Sequence, residues 1–424
     1  MHWETMPLTD RILSNGIHLL AEPIAATKAV AIGFWFSRGS RDESEKCCGI
    51  THFVEHMLFK GTRSLSSFEI AQFFDRIGGY VNAFTERENL CVYCVVPSRD
   101  ALEASLIISR MLFESVFSDN DINKERTVIS SEILTSQDDP EEMGIDTALS
   151  LMYPHHGFSR PIAGRIEDIE SLSGDKIREY YAHNFKNTAP VVTAAGNINI
   201  EQFEKQLEKI EGISCGTNIE TDLLSPVWTA GRYYPYSPFS QSQIFLSYPL
   251  NDLKTESDWF SLSIINAIIG DTVSSRLFQN LREKRGLCYS TYSFFISGRD
   301  ASFWTAYAAT PPEKTLEAAE SLLTEMRLLR VQPLSEMEIE DARSHLCGEM
   351  DLSADDMENR MKRLARQFFY IGTISALEES VQKLSAVTRN DIEKQLNAFF
   401  RESDESLIIY GGKKQIKECR KKWK

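Results

Sequence analysis

No apolar run in this chain is long enough to cross a bilayer, so a membrane-spanning segment is not expected. The N-terminus, MHWETMPLTDR, lacks both the apolar core of a secretory signal and the arginine-rich, acid-free pattern of a transit peptide. The chain also lacks a basic excess, because its formal net charge is −15. Nucleic-acid-binding proteins usually present a basic face, so that class is not expected either. We therefore predict a cytoplasmic protein with no membrane partner and no nucleic-acid partner.

Cysteine is sparse and scattered, with 8 residues among 424. Without an export signal, such cysteines are expected to be reduced thiols rather than a disulfide framework. Cys91 and Cys94 form the pattern CxxC, but they lie in Leu90–Val96, a run that is typical of a strand. Strand alternation would direct the two thiols to opposite faces, and the sequence has no second CxxC to complete a zinc ribbon. A metal site at this pair is therefore not predicted.

The excess of acidic residues, which gives the net charge of −15, has two interpretations. It can reflect a solvated surface that aids solubility, or an acidic chamber that attracts basic peptides. Composition alone favours the solvated surface, and the chamber stays open as the alternative.

The two halves of the chain follow one plan of strands and helices. A length of 424 residues is too great for one ordinary hydrophobic core, which indicates two domains. In each half, a strand ends at proline and is followed by a long helix. Setting Ile122 against Ile339 also sets Glu132 against Glu349. This coincidence favours an internal duplication of about 210 residues.

The predicted fold class is α+β, with two homologous domains that each pack a mostly antiparallel sheet against helices. We place the N-terminal domain at residues 1–213, a linker at 214–236 and the C-terminal domain at 237–424. The second domain has no counterpart of His52, Glu55 and His56. The fold therefore does not need these three residues, which weakens a purely structural explanation for them.

The stretch Thr51–Lys60 places His52 and His56 four residues apart, with Glu55 between them. On a helix these three share one side, and the remaining neighbours are mostly apolar, which indicates a buried helix with one polar stripe. Two imidazoles on adjacent turns can share one zinc ion at about 2.0–2.1 Å. Glu55 would lie beside the ion, where it can accept a proton from water. The order His-x-x-Glu-His occurs among zinc peptidases, and the alternative is a structural metal or a satisfied pair of core histidines.

A third metal ligand is expected on another buried element, because a catalytic zinc ion usually has three protein ligands and one open position. Residues 123–135 form a predicted helix whose inward stripe includes Glu125 and Glu132. The apolar members of that stripe are Ile122, Ile129 and Ile133. Ionised carboxylates on an apolar face are costly unless they are paired or bind a metal. We therefore assign Glu132 as the third ligand and Glu125 as the residue that orients a ligating histidine; two partly exposed acids at a helix edge are the alternative.

These residues resemble those of the inverzincin metallopeptidases, the superfamily of pitrilysin, insulysin and the mitochondrial processing peptidase. The family pattern is HxxEH followed 76 positions later by Glu, and here the distance from His56 to Glu132 is 132 − 56 = 76. Further matches extend over nearly the whole chain, at Gly61-Thr62, Gly78–Thr85, Glu125-Arg126, His183–Phe185, Ala194–Asn197, Ser275–Phe278, Leu281–Glu283 and Gly286–Tyr289. The length matches the half-size members, which work as pairs of chains.

The resemblance implies a processing-peptidase-like zinc endopeptidase with one Zn²⁺ per chain. It assigns the ligands as His52, His56 and Glu132, and the general base as Glu55. It also implies that Arg282 and Tyr289 hydrogen-bond the scissile carbonyl or its oxyanion, where positioned donors stabilise negative charge.

The resemblance also implies how substrate binds. The segment formed by Val81, Asn82, Ala83, Phe84 and Thr85 would be a sheet edge. An extended peptide or an unfolded protein segment would add to that edge as a strand. A homodimer is implied, in which the Arg282–Tyr289 pair of one chain completes the active site of the other. The alternative is a catalytically idle core or assembly subunit of the same superfamily, which usually lacks the intact set of Glu55 and three ligands.

Overall fold

The computed structural model describes residues 7–213, 225–250, 253, 255–332 and 334–423. The strands are β1 Thr9–Ile12, β2 His18–Pro23, β3 Ala29–Phe36, β4 Tyr80–Thr85, β5 Leu90–Pro97, β6 Val191–Gly196, β7 Gly231–Tyr233, β8 Ser242–Pro249, β9 Ser290–Ile296, β10 Phe303–Thr310 and β11 Ser406–Tyr410. The α-helices are α1 Ile50–Leu58, α2 Ser67–Ile77, α3 Ala101–Phe113, α4 Asp119–Gln137, α5 Pro140–Met152, α6 Ile166–Ser171, α7 Gly174–Tyr181, α8 Ile200–Leu207, α9 Glu256–Asn266, α10 Thr315–Val331, α11 Glu336–Leu352, α12 Met357–Ile371, α13 Leu377–Ser385, α14 Arg389–Phe399 and α15 Lys413–Lys422. Segments of π-helix are Ala182–Lys186, Ala267–Asp271 and Phe278–Lys284.

The described chain divides into two compact units that do not follow chain order. The first consists of the described parts of Met1–Leu134, Arg160–Leu223 and Leu352–Leu377, and the second of those of Thr135–Ser159, Leu224–Asp351 and Glu378–Lys424. The predicted domain limits, 1–213 and 237–424, assign one continuous stretch to each domain. In the structure, each unit includes a helix from the opposite half of the chain: α12 in the first and α5 in the second. Residues 214–224 of the predicted linker lie outside the described part.

Each unit contains one sheet, and the strand orders support the duplication. The first sheet has the order β1-β2-β6-β3-β5-β4, with one parallel pair, β2 and β6. The second has the order β7-β11-β8-β10-β9, with one parallel pair, β7 and β11. The four-strand order β6-β3-β5-β4 corresponds to β11-β8-β10-β9. The prediction of an α+β fold with mostly antiparallel sheets is confirmed.

Two hydrophobic clusters cover the two faces of the first sheet. On one face, strand residues pack with helices α1, α2, α3 and α4. On the other face, Met357, Met361 and Ala365 of α12 pack with Trp35 and Tyr93. Helix α12 joins this unit because its apolar stripe supplies the cover that this face of the sheet lacks.

In the second unit, α5 has the corresponding place. Its residues Ala148, Leu149 and Met152 pack in one cluster with Phe245 and Tyr307 of the sheet. The opposite face packs with α9, α10 and α11. Each sheet therefore has helices on both faces, one of them contributed by the other half of the sequence.

Helix α12 is also held to the first sheet by buried charge. Glu22 on β2 is buried, and its two carboxylate oxygens accept hydrogen bonds from Arg360 Nη1 at 2.9 Å and Arg363 Nη2 at 3.1 Å. Arg360 is itself buried. A buried guanidinium that loses its carboxylate partner is strongly destabilising, since its desolvation is no longer compensated.

We expect Glu22→Gln to lower the free energy of unfolding of the first unit by about 3–5 kcal/mol. Glu204→Gln is the matched control, because Glu204 pairs with Arg11, whose side chain is 64% exposed, and a surface pair contributes less than about 1 kcal/mol. Urea unfolding followed by tryptophan fluorescence measures both variants. Equal shifts for the two variants would contradict a structural role for the buried pair.

The described cysteines are all free thiols. Cys91 and Cys94 lie on β5 and belong to clusters on opposite faces of the sheet, as strand alternation predicts. None of the helices in the described residues combines the length and the apolar character that a membrane crossing requires.

Candidate metal centre and active site

The helix that carries the HxxEH sequence begins at a glycine that no other residue could replace easily. Gly49 caps α1 with a φ of 84°, a conformation that favours glycine. A Cβ at this position would also lie 2.3 Å from the carbonyl oxygen of Ala163. The backbone therefore fixes where α1 starts and so where its side chains point.

A buried carboxylate, that of Glu43, accepts hydrogen bonds from the backbone at the N-terminus of α1. Glu43 accepts hydrogen bonds from the backbone N–H groups of Gly49 at 2.7 Å and Thr51 at 2.8 Å. Burial raises the pKa of Glu43 to about 7, although the hydrogen bonds from Thr51 and Gly49 act in the opposite direction. These bonds satisfy two amide groups that a helix N-terminus otherwise leaves unpaired.

The side chains of α1 divide as the sequence predicts. Its apolar residues are buried in the core, and they are Ile50, Phe53, Val54, Met57 and Leu58. The polar stripe is formed by His52, Glu55 and His56, and the two imidazole rings stand 4.7 Å apart between centroids. This packing holds both rings on one side of a helix that has little freedom to rotate.

Helix α4 brings the third carboxylate to these rings. Its N-terminus is capped by Ser118, whose hydroxyl accepts the amide N–H of Asp121 at 3.2 Å. The stripe predicted for this helix is found, with Ile122, Glu125, Ile129 and Ile133 buried. Glu132 lies at the edge of the stripe, where its side chain is 49% exposed.

The three predicted ligands converge. Glu132 Oε2 lies 3.3 Å from His52 Nε2 and 3.4 Å from His56 Nε2. Two ligands bound at about 2.0–2.1 Å to a tetrahedral zinc ion are separated by about 3.3–3.4 Å. The observed separations therefore match two edges of such a tetrahedron. Among the described residues, these three form the one group of His, Cys, Asp or Glu side chains close enough to share an ion.

Glu125 and Lys60 form a second layer behind the rings. Glu125 is buried, and its Oε2 lies 3.1 Å from His56 Nδ1. Its other oxygen, Oε1, lies 2.6 Å from Lys60 Nζ. A hydrogen bond from His56 Nδ1–H to this carboxylate would leave the Nε2 lone pair directed at Glu132 and available to a metal. The sequence pattern does not predict this contact between Lys60 and Glu125, although Lys60 is the last residue of the stretch Thr51–Lys60 that contains the HxxEH motif.

Glu55 lies beside the three candidate ligands and is not one of them. Its Oε2 lies 3.6 Å from His52 Nδ1 and accepts a hydrogen bond from the Thr85 hydroxyl. Thr85 ends β4, the edge strand of the first sheet. Val81 and Ala83 pack against the core that contains α1. The segment predicted to bind substrate therefore reaches the predicted general base through its last residue.

The outer edge of β4 is unpaired in the described structure. Its residues pair with β5 alone, from Tyr80 with Val95 to Thr85 with Leu90. An edge strand presents a row of backbone donors and acceptors to which an extended chain can add.

Arg282 and Tyr289 lie in the second unit. Arg282 is in the π-helical segment Phe278–Lys284, and Tyr289 comes directly before β9. The guanidinium carbon of Arg282 lies 5.3 Å from the centre of the Tyr289 ring. Tyr289 is 78% exposed. The two side chains thus form a pair in which Tyr289 is exposed and Arg282 is half-buried. Their role toward substrate stays a prediction.

The electrostatics of the ligand group predict that metal binding displaces a proton. Burial by itself lowers the pKa of His52, but hydrogen bonds to Glu132 and Glu55 outweigh it and raise the pKa to about 9. The bond to His52 lowers the pKa of Glu132. In the metal-free chain, His52 is therefore protonated at pH 7, whereas a metal requires the neutral imidazole.

We expect the apparent zinc affinity to rise about tenfold per pH unit between pH 7 and 8, and to level off above about pH 9, since one proton leaves for each ion bound. Competition with a chelator of known affinity at fixed pH values measures this dependence. A zinc affinity that does not change between pH 7 and 9 would contradict the expected proton release.

Comparison with known proteins gives one family. The family model described as "Insulinase (Peptidase family M16)" matches residues 19–165, and that described as "Peptidase M16 inactive domain" matches residues 171–346. An uncharacterized zinc protease of Bacillus subtilis is 32% identical and covers 93% of this chain and 96% of its own length. An uncharacterized zinc protease of Streptomyces coelicolor is 30% identical, and the match covers 90% of this chain and 84% of the relative's length.

Solved structures share the fold at low sequence identity. A protease from Helicobacter pylori has a TM-score of 0.87 at 17% identity, covering 96% of this chain and 100% of its own. A chain of complex III from Candida albicans has a TM-score of 0.79 at 18% identity, with 96% of both chains covered.

Proposed function

Because this chain belongs to the insulinase family of peptidases, peptidase family M16, we propose that it is a zinc-dependent endopeptidase that cleaves extended peptides or unstructured protein segments. The observation that supports this most is the spacing of His52, His56 and Glu132 around one point, with Glu55 beside them. A structural metal site would not need an additional carboxylate that lies beside the ligands without being one of them.

The donor set fits zinc, since two imidazoles and one carboxylate are ligands of known catalytic zinc sites. Zinc held by His52, His56 and Glu132 would polarise the scissile carbonyl and lower the pKa of water. Glu125 keeps the His56 ring oriented by accepting its Nδ1–H. Relatives with 30–32% identity are named zinc proteases, which agrees with this choice of metal.

Glu55 is the general base in this proposal. Its carboxylate takes a proton from the attacking water and passes it to the amine that leaves, a role worth about 10²–10⁴ in rate for a positioned side chain. The Thr85 hydroxyl holds one carboxylate oxygen in place. Arg282 and Tyr289 donate hydrogen bonds to the oxygen on which negative charge develops.

The edge strand β4 accounts for the substrate class. A peptide that pairs with its backbone gains affinity with little dependence on sequence. Folded proteins lack a free extended segment that could pair in this way, so peptides and unstructured termini are the expected substrates.

Hydrolysis of an internally quenched peptide, with and without a chelator, tests the proposal. Zinc-loaded protein should cleave the peptide, the chelator should remove that activity, and added zinc should restore it. A substrate protein should be cleaved far more slowly when it is folded than when the same protein is unfolded. Absence of cleavage by zinc-loaded protein, or cleavage that the chelator leaves unchanged, would refute the proposal.

A catalytically idle core or assembly subunit is the second candidate. One observation favours it: the family model that matches residues 171–346 is described as an inactive domain. The presence of Glu55 together with all three candidate ligands favours the peptidase, because an idle subunit has no need for the full set.

We also propose that two chains form a homodimer and complete each other's active sites. In this arrangement, Arg282 and Tyr289 of one chain act at the zinc of its partner. Mixing a Glu55→Gln chain with an Arg282→Ala chain should restore part of the activity that each has lost. Absence of recovery in demonstrated mixed dimers would show that the groups act within one chain.

A further inference from the structure

The helix that carries two of the candidate zinc ligands has no capping side chain of its own. Its N-cap residue is Gly49, whose φ of 84° and close approach to the Ala163 carbonyl leave no room for a side chain. A helix N-terminus has backbone N–H groups without partners, and an N-cap serine, threonine, asparagine or aspartate usually accepts one of them. In α1 the acceptor is Glu43, a buried residue that lies outside the helix.

Both carboxylate oxygens of Glu43 bind this helix start. Oε2 accepts the N–H of Gly49 at 2.7 Å, and Oε1 accepts that of Thr51 at 2.8 Å. Thr51 is the residue next to the ligand His52. Its hydroxyl also lies 2.8 Å from that of Tyr180 on α7. The first turn of α1 is therefore held by two other segments of the chain.

Arg160 fixes the segment from which Glu43 reaches the helix. Its Nη2 group donates to the backbone carbonyl oxygens of Arg41 and Glu43. Burial raises the pKa of the Glu43 carboxyl to about 7, and the Arg160 guanidinium opposes this rise. A buried carboxylate costs free energy, a cost that a capping side chain at the protein surface does not have.

The second unit, which has no counterpart of the metal motif, starts the corresponding helix differently. Helix α9 follows β8 as α1 follows β3, and these strands have corresponding places in their sheets. The N-cap of α9 is Thr255, whose hydroxyl accepts the N–H of Asp258 while the Asp258 carboxylate accepts that of Thr255. This capping box needs no residue from another segment. The fold therefore does not require a buried carboxylate at this place, and the carboxylate occurs together with the metal motif.

From this geometry we propose that Glu43 is a positioning residue for the metal centre. It holds the first turn of α1 in the orientation in which His52 and His56 face Glu132, so that zinc binds without rearrangement of the helix. The contacts of Glu43 are with the backbone of α1, whereas Glu125 contacts a ligand ring directly. The inference rests on the proposed zinc site and not on peptide hydrolysis.

The zinc affinity of Glu43→Gln tests the proposal. An amide has one acceptor oxygen, so one of the two backbone N–H groups would lose its partner and face an NH₂ group. We expect zinc affinity to fall about 10–100-fold, the range for residues that orient metal ligands. Competition with a chelator at pH 7.5 measures this loss. In protein loaded with Co²⁺, the visible absorption bands should shift, because they depend on the geometry of the ligands.

Glu22→Gln is the matched control that separates positioning from a loss of stability. Glu22 is a buried carboxylate of the same unit, but its partners Arg360 and Arg363 lie on α12. Helix α12 packs on the sheet face opposite α1. This variant should be less stable than wild type and yet keep wild-type zinc affinity and the wild-type Co²⁺ spectrum.

Glu43→Asp is the second variant. It keeps both acceptor oxygens on a shorter side chain, so its zinc affinity should lie between those of wild type and Glu43→Gln. If Glu43→Gln is poorly folded by circular dichroism, Glu43→Asp takes its place in the comparison with Glu22→Gln.

Wild-type zinc affinity in both Glu43 variants would overturn the proposal, as would an equal loss of affinity in Glu22→Gln. Failure of the metal centre is a different result, in which wild-type protein binds no stoichiometric zinc and the positioning role is refuted with it. Failure of the peptidase proposal is different again. In that case zinc binds with the expected differences between variants, but zinc-loaded wild-type protein cleaves no peptide.

Discussion

Glu55→Gln should abolish turnover of a quenched peptide while the protein keeps its zinc. The change replaces a carboxylate with an amide of the same shape, so a proton can no longer be accepted from water. A positioned general base contributes about 10²–10⁴ in rate, and a loss of kcat within that range is expected. Because Glu55 lies beside the three candidate ligands rather than among them, zinc stoichiometry should stay unchanged.

Steady-state kinetics and elemental analysis of the same sample make this measurement. Glu45→Gln is a suitable control, because Glu45 is exposed and lies in the turn that precedes α1. It should retain wild-type kcat. Turnover of Glu55→Gln within a few-fold of wild type would remove Glu55 from the mechanism, and loss of zinc together with activity would place it among the ligands.

Glu132→Gln and Glu125→Gln should differ in their effect on zinc binding. Glu132 approaches both histidine Nε2 atoms within 3.4 Å, so its replacement removes a ligand and most of the charge that balances the ion. Glu125 contacts His56 Nδ1 instead. Loss of such an outer partner typically lowers metal affinity about 10–100-fold. We expect a loss of zinc affinity in that range for Glu125→Gln and a clearly larger one for Glu132→Gln.

Competition with a zinc chelator at pH 7.5 compares the two variants. Glu103→Gln, at an exposed position on α3, controls for removing one negative charge from the first unit. Equal affinities for Glu132→Gln and the control would exclude Glu132 as a ligand. A larger loss for Glu125→Gln than for Glu132→Gln would reverse the assigned roles.

Local patterns predict much of this fold because they report burial. The uninterrupted apolar run Ala29–Phe36 is typical of a buried strand, and it forms β3. The isoleucine spacing of α4 identifies its inward face, and Glu125 is buried on it as the pattern indicates. Glu132 shows the limit of that pattern, since it is half-exposed at the edge of the stripe. Spacing gives the face of a helix but not the depth of each side chain.

The sequence does not show which distant elements pack against each other. The apolar stripe of α12 requires a partner surface, but nothing local identifies that surface as the sheet of the first unit. Strand β1, Thr9–Ile12, was not predicted because its residues are mostly exposed and polar. The contacts of Lys60 with Glu125 and of Thr85 with Glu55 join separate elements. Such contacts follow from tertiary packing, which neither periodicity nor propensity encodes.

X-ray absorption at the zinc edge of the purified, zinc-loaded chain tests the metal centre most directly. The expected result is about one zinc ion per chain, with two imidazole groups and oxygen ligands at about 2.0–2.2 Å and no sulfur shell near 2.3 Å. A sulfur shell would show that cysteine thiolates bind the zinc ion, which would contradict the assigned ligands. Failure of the folded chain to retain zinc in stoichiometric amount would contradict a metal centre at His52, His56 and Glu132.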